Sequence, residues 1–302
     1  MNFDQNNVTL TTLVGYFEDV QGQNERHVQI PINPEVQNEL KAMLLTTTQK
    51  LGLPATALNL PAFSPAEKYS SEEHLQLPLT TEYVTDLVAT VGLQNLPSNV
   101  NALDSISELE YYYAVFTDSQ HRKLFAFRRA AQFKGVIKSK LTIINGGVLT
   151  LMDTPVFRLD NDFDYIVDNQ NIFILRPSGF EFTTNVHGAV IQSAAANATT
   201  IATSVTFLDI SRISNYAGTH VRAARLLAAI RSRNDLHLID RQLLINACQQ
   251  FGILVSQNQA GAIGPDDGHE YDFLCIIDRR AYTATLIPNQ PEKYEAASRT
   301  QK

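Results

Sequence analysis

Val36, Leu40, Leu44 and Leu51 return at close to whole helical turns, which predicts one amphipathic helix near the start of the chain. Asn33-Pro34 gives it a start: a side chain that caps the free N–H groups, then a proline whose missing N–H is harmless in the first turn. Gly52 is placed as its stop. From Pro54 to Pro78 the periodicity breaks. Pro54, Pro61, Pro65 and Pro78 among many polar residues predict a long surface connection. A second helix is expected from Thr81 to Val91, ending at Gly92.

The middle of the chain changes period. EYYYAVFT (Glu110–Thr117) and KLFAFR (Lys123–Arg128) are aromatic-rich runs on either side of a polar turn, a hairpin signal. Leu141–Ile144 and Val148–Met152 flank Asn145-Gly146, a pair suited to the positive φ of a tight hairpin turn. Phe163–Val167 and Asn171–Leu175 flank Asp168-Asn169-Gln170. Consecutive hairpins imply an antiparallel meander and exclude a doubly wound parallel sheet.

After Thr184 the pattern turns helical. THVRAARLLAAIRSR (Thr219–Arg233) is a strong helix former, and Asp240 can cap a helix to Phe251 with Leu243, Leu244, Ala247 and Phe251 on one face. Tyr271–Ile277 reads as a final strand before a polar tail. The expected class is α+β: an antiparallel β-meander core with an N-terminal α/β portion and a mainly helical C-terminal part. The division falls into 1–104, a mixed region with the proline-rich loop, and 105–302, with the meander at 110–183 and the helical part at 184–302.

At 302 residues, 44 % apolar and 18 % charged, the chain has enough material for a proper core. Cys248 and Cys275 are too few for a disulfide framework, lack zinc-ligand spacing and sit in apolar runs, so they read as reduced core thiols. MNFDQNNVTL is no secretory signal, and the longest apolar candidate, Val186–Leu208, is broken by Gln192, Ser193, Asn197 and threonines. A cytoplasmic protein without direct membrane insertion is expected.

Charge sharpens this picture. The net charge is −7, yet Ser119–Met152 holds Arg122, Lys123, Arg128, Arg129, Lys134, Lys138 and Lys140 with no acid. Ile210–Asn234 holds Arg212, Arg222, Arg225, Arg231 and Arg233, again with none. Those twelve are half of the 24 bases, so the other half face all 31 acids elsewhere. Such segregation calls for a polyanion or for an acidic protein face. Against it stands the plain alternative of solvated faces balanced by acids from elsewhere.

Within the first window, Arg128 and Arg129 point to opposite faces of a strand, while Lys134, Lys138 and Lys140 share the parity of Arg122 and Arg128. In the second, Arg222, Arg225 and Arg233 fall near one side of a helix whose buried side is Ala223, Leu226, Leu227 and Ile230. Arginine takes phosphate with a planar fork.

Asp160-Asn-Asp162-Phe-Asp164 resembles a cation loop but fails the EF-hand pattern, with Tyr165 where glycine is needed and Asn171 where the bidentate Glu belongs. Its alternation reads as an amphipathic strand with acids facing water. Were the protein a metal-dependent nuclease, Asp160, Asp162, Asp164 and Glu181 would be the carboxylates to test. No nucleophile elbow, phosphate loop or His-Glu-x-x-His is present, and no cofactor is implied.

FRLDNDFDYIVDNQNIFILRPSGFE (Phe157–Glu181), LFAFRRA (Leu124–Ala130) and IDRRAYTATLIPNQPEKYEAASR (Ile277–Arg299) together resemble the KwaB-like family, named for the second component of the Kiwa anti-phage defence system. The likeness runs from about Glu110 to the C-terminus. It implies a defence effector that binds phage DNA and impedes replication or transcription, held at the inner membrane by a small multi-pass protein, KwaA. It transfers no catalytic residue. The expected DNA contacts are Arg122, Lys123, Arg128, Arg129, Lys134, Lys138, Lys140, Arg222, Arg225 and Arg233, in a homodimer. The competing readings are an adaptor docking on an acidic partner and a metal-dependent nuclease.

Overall fold

The computed structural model describes residues 3–18, 25–53, 60–70, 72–93, 109–130, 142–145, 148–151, 159–287 and 290–296. They fall into two compact units, one from Met1–Ala62 with Ser70–Thr184, the other from Phe63–Tyr69 with Asn185–Lys302.

The first unit is built on β1 (Val8–Glu18), β2 (Glu25–Ile30), β3 (Leu75–Pro78), β4 (Leu109–Asp118), β5 (Lys123–Arg129), β8 (Tyr165–Val167) and β9 (Asn171–Ile174). These form one antiparallel sheet in the order β2-β1-β4-β5-β8-β9-β3. The first and third expected hairpins are β4–β5 and β8–β9. The second, β6 (Thr142–Asn145) with β7 (Val148–Leu151), is a separate two-stranded pair. N-terminal strands supply one side of the sheet: Leu13 pairs with Ala114 and Gly15 with Tyr112. The sequence-based boundary at residue 104 therefore lies within this unit.

Asn33 caps α1 (Pro34–Lys50) through its side chain, which accepts from the N–H of Val36, and Gly52 takes φ +70° just past the end. Leu40, Met43 and Leu44 of α1 join Leu13, Tyr112, Ala114, Phe116, Leu124, Ala126 and Ile166 in one core. Alternation explains that set, since every second residue of β4 and β5 faces it. Gly15 is required there because a Cβ would stand 2.6 Å from the Phe17 ring. The opposite face carries an aromatic ladder: Tyr113 stacks on Phe127 at 4.9 Å and Phe127 on Tyr165 at 4.8 Å. Phe180 of α3 (Pro177–Thr183) meets Tyr165 edge-on at 5.2 Å. The second expected helix is α2 (Thr85–Gly92), preceded by a 3-10 turn over Glu82–Val84.

The proline-rich stretch divides. Leu75–Pro78 is the edge strand β3, where a proline costs no interior ladder bond. Phe63–Tyr69 belongs to the second unit.

That second unit is mostly helical. It contains α4 (Val186–Ser204), α5 (Ser211–Ala217), α6 (Val221–Arg231), α7 (Arg241–Phe251) and α8 (Glu270–Ile277). Two short strand pairs accompany them: β10 (Val255–Gln257) with β11 (Ile263–Pro265), and β12 (Ala281–Ile287) with β13 (Gln290–Glu295). Small residues let α4 and α6 approach: Ala194 and Ala198 on one, Ala223 and Ala224 on the other, all buried. Asp240 caps α7 as expected, but Leu243 is exposed while Leu244 is buried.

Tyr271–Ile277 is helix α8, not a strand. DFLCII is a short unbroken apolar run, which periodicity cannot assign to strand or helix. The hairpin that follows, β12–β13, occupies the region expected to be a polar tail. Cys248 and Cys275 are free and buried, and burial pushes their thiols up to about 11 and about 12.

Candidate nucleic-acid interface

Residues 159–164 connect to β8 without forming a strand, and their acids do not face water. Asp162 and Asp164 are each 2 % exposed. The correction has a simple cause: three cations from three elements meet them. Lys50, in the last turn of α1, donates to Asp162 Oδ2 at 2.5 Å, and Arg176, between β9 and α3, reaches Asp162 Oδ1 at 2.6 Å. Arg128 of β5 donates from Nε to Asp160 at 2.8 Å and from a terminal nitrogen to Asp164 at 2.5 Å. The N–H of Arg129 closes the set on Asp164 Oδ2 at 2.8 Å.

Burial opposes ionisation of Asp162, but the hydrogen bonds and charges of Lys50 and Arg176 outweigh it and hold its carboxyl below the ordinary range. Burial likewise works against the Arg128 charge, and Asp164 with Asp160 overcomes it. Gly179 of α3 lies so close that a Cβ would fall 2.3 Å from the Asp164 carboxylate. The three nuclease candidates on this loop are thus neutralised by lysine and arginine. Among the described residues no group of three His, Cys, Asp or Glu is arranged to hold a metal ion.

A second network lies in the second unit. Arg280 donates to Asp278 at 2.7 Å and to Glu67 at 3.0 Å. Arg233 pairs with Asp235 at 3.0 Å and lies 3.6 Å from Asp278, while Arg279 reaches Asp235 at 3.0 Å.

These networks sort the expected contact residues. The windows are neutralised at their borders by acids just outside them. Arg122 binds Asp118 at 2.7 Å, and although burial works the other way, that bond and three backbone N–H groups hold Asp118 at about 2. Arg233 binds Asp235, and Arg212 acts on Asp209. Arg128 is consumed by the acidic loop. Arg233 follows the end of α6 and is largely buried, so it does not continue an exposed stripe from Arg222 and Arg225. Arg231 donates to the buried Asn197 at 2.9 Å, and Arg225 is half-buried on α6.

Lys123, Arg129 and Arg222 remain. No carboxylate pairs with any of the three among the described residues, and Lys123 and Arg222 are exposed. Arg128 and Arg129 do point to opposite faces of β5. The Arg129 guanidinium lies over the ring of Phe182 on α3, 3.7 Å from its centroid. Lys134, Lys138 and Lys140 lie outside the described residues.

Sequence reasoning missed Lys50, Arg176, Asp118, Glu67, Arg280 and Phe182. Only Asp118, four residues before Arg122, and Arg280, in the Asp278-Arg279-Arg280 run, stood near a visible partner.

Fold and site define an α+β protein in which each of two compact units holds an internal acid–base network. The family described as Kiwa protein KwaB-like matches residues 108–259, which is 152 of 302, and the chain belongs to that family. Membership makes it a component of Kiwa anti-phage defence. No curated protein and no solved structure matches the chain. Among the described residues no helix is long and apolar enough to cross a membrane.

Proposed function

We propose that the chain binds DNA through phosphate contacts, without reading its sequence, as a homodimer working beside a KwaA-type membrane protein that holds it at the inner membrane. One observation supports this most directly. Lys123, Arg129 and Arg222 have no carboxylate partner among the described residues, whereas Arg122, Arg128 and Arg233 do. A cation left unpaired on a protein of net charge −7 is available to an outside anion. Phosphates of a duplex fit, because such contacts release counterions and need no base recognition. Lys134, Lys138 and Lys140 extend the same window in sequence.

The test is a titration into labelled duplex with EDTA present, at about 50 and about 200 mM salt. Affinity should fall by orders of magnitude at the higher salt. Charge reversal of Lys123, Arg129 and Arg222 together should weaken binding and lower the salt slope by about one unit per lost phosphate contact. Undiminished binding in that folded triple variant removes these residues from the interface. No binding at either salt leaves the basic zone to an acidic protein face and makes the chain an adaptor.

A further inference from the structure

We infer that Arg129 and Phe182 form a stacking platform for an unpaired base, so that the preferred substrate is DNA bearing single-stranded ends or gaps. This rests on the DNA-binding reading above. Within α3 the two phenylalanines have opposite fates. Phe180 is fully buried and meets Tyr165 edge-on, which anchors the helix to the sheet. Phe182, two positions on and so roughly opposite around the helix, is 38 % exposed, and among the described phenylalanines it alone is exposed.

The Phe182 ring is covered in part by Arg129 at 3.7 Å, well inside the ~6 Å range of a cation–π contact. The buried Nε of Arg129 has no hydrogen-bond partner, so the ring rather than a carboxylate positions this guanidinium. Its charge is therefore not cancelled by an internal acid, unlike that of Arg128 one residue earlier.

An aromatic face beside an uncancelled guanidinium is what an unstacked base and its phosphate require. Bases inside an intact duplex cannot reach it. Lys123 shares the Arg129 face of β5, about 20 Å away along an extended strand, within reach of the phosphates of the same bound strand.

Fluorescence anisotropy with three DNA probes tests this: a blunt duplex, the same duplex with a short overhang, and the single strand. A 2-aminopurine in the overhang reports stacking directly. Wild type should prefer the overhang to the blunt end by about tenfold, since one stacked base supplies that much. Phe182→Ala should erase the preference and the 2-aminopurine quenching, with a clearly smaller loss on the blunt duplex, where only the positioning of Arg129 is disturbed. Phe182→Trp, which keeps the stacking face, should retain both signals, and this guards against a folding defect in the alanine variant.

Equal losses on all probes, or no loss on any, would overturn the platform while leaving duplex binding intact. A preference for an RNA strand of the same sequence over DNA would overturn it as well. Failure of wild type to bind even the blunt duplex would instead overturn the DNA-binding reading on which it rests.

Discussion

The two units each hold three acids and three bases in one network, and they connect them in opposite ways. In the first, a single loop brings Asp160, Asp162 and Asp164, and α1, β5 and the β9–α3 junction bring one cation each. In the second, Arg279 and Arg280 are neighbours, and the acids Glu67, Asp235 and Asp278 come from separate stretches of chain. Solvent grades both of them. The first runs from carboxylates 3 % exposed and Arg128 at 11 % to Arg176 at 34 % and Lys50 at 48 %. The second runs from Arg280 at 4 % to Arg279 at 54 %. A buried charge that loses its partner is stranded, whereas an exposed one is rehydrated. The inner end of each network should therefore fail very differently from its outer end.

The largest effect is expected from Arg128→Ala. It strips the short ion pair from Asp164 and the Nε bond from Asp160 at the buried end of the first network. Breaking a buried pair from one side costs about 3–5 kcal/mol. Denaturant unfolding should show a midpoint shift of that size with an unchanged slope. A loss under about 1 kcal/mol would mean that the loop is effectively hydrated, as in a surface pair.

Arg280→Ala should come next. Asp278 keeps Arg233 at 3.6 Å, and Glu67 can turn toward water, so the loss should be about 1–3 kcal/mol, the range for unsatisfied buried polar groups. Its signature is local: amide exchange over Ser64–Tyr69 should accelerate, because Glu67 ties that segment to Arg280. Unchanged exchange there would show that Phe63 and Tyr69, whose rings lie 5.5 Å apart, hold the segment without the ion pair.

These networks also mark where reading the sequence stops. The Asn33 cap, the Asp240 cap and the turn of the β4–β5 hairpin are decided within five residues, and each was legible because turn and cap chemistry is local. Helix α8 was not, because DFLCII satisfies a buried strand and a buried helix equally. The Asp-x-Asp-x-Asp loop was visible but its environment was misread, since Lys50 lies 112 residues from Asp162. Glu67 lies 213 residues from Arg280. Acid-free windows were real as sequence, yet Arg122, Arg128 and Arg233 are neutralised in space, which leaves a smaller set of unpaired cations than the windows promised.

The smallest effect, at Arg279, sharpens the contrast most finely. Arg279 is more than half exposed and pairs with Asp235 at 3.0 Å, so Arg279→Ala should cost under about 1 kcal/mol. Its backbone carries a separate load, because φ is +58°, a left-handed value that disfavours any residue with a Cβ. Alanine keeps that load and removes only the ion pair, whereas Arg279→Gly removes both. The glycine variant should therefore be more stable than the alanine variant by up to about 1 kcal/mol, which paired thermal melts would resolve. If instead alanine cost several kcal/mol, the exposed end of the second network would be as tightly coupled as the buried core of the first, and the distinction between inner and outer members would fail at the residue where it is widest.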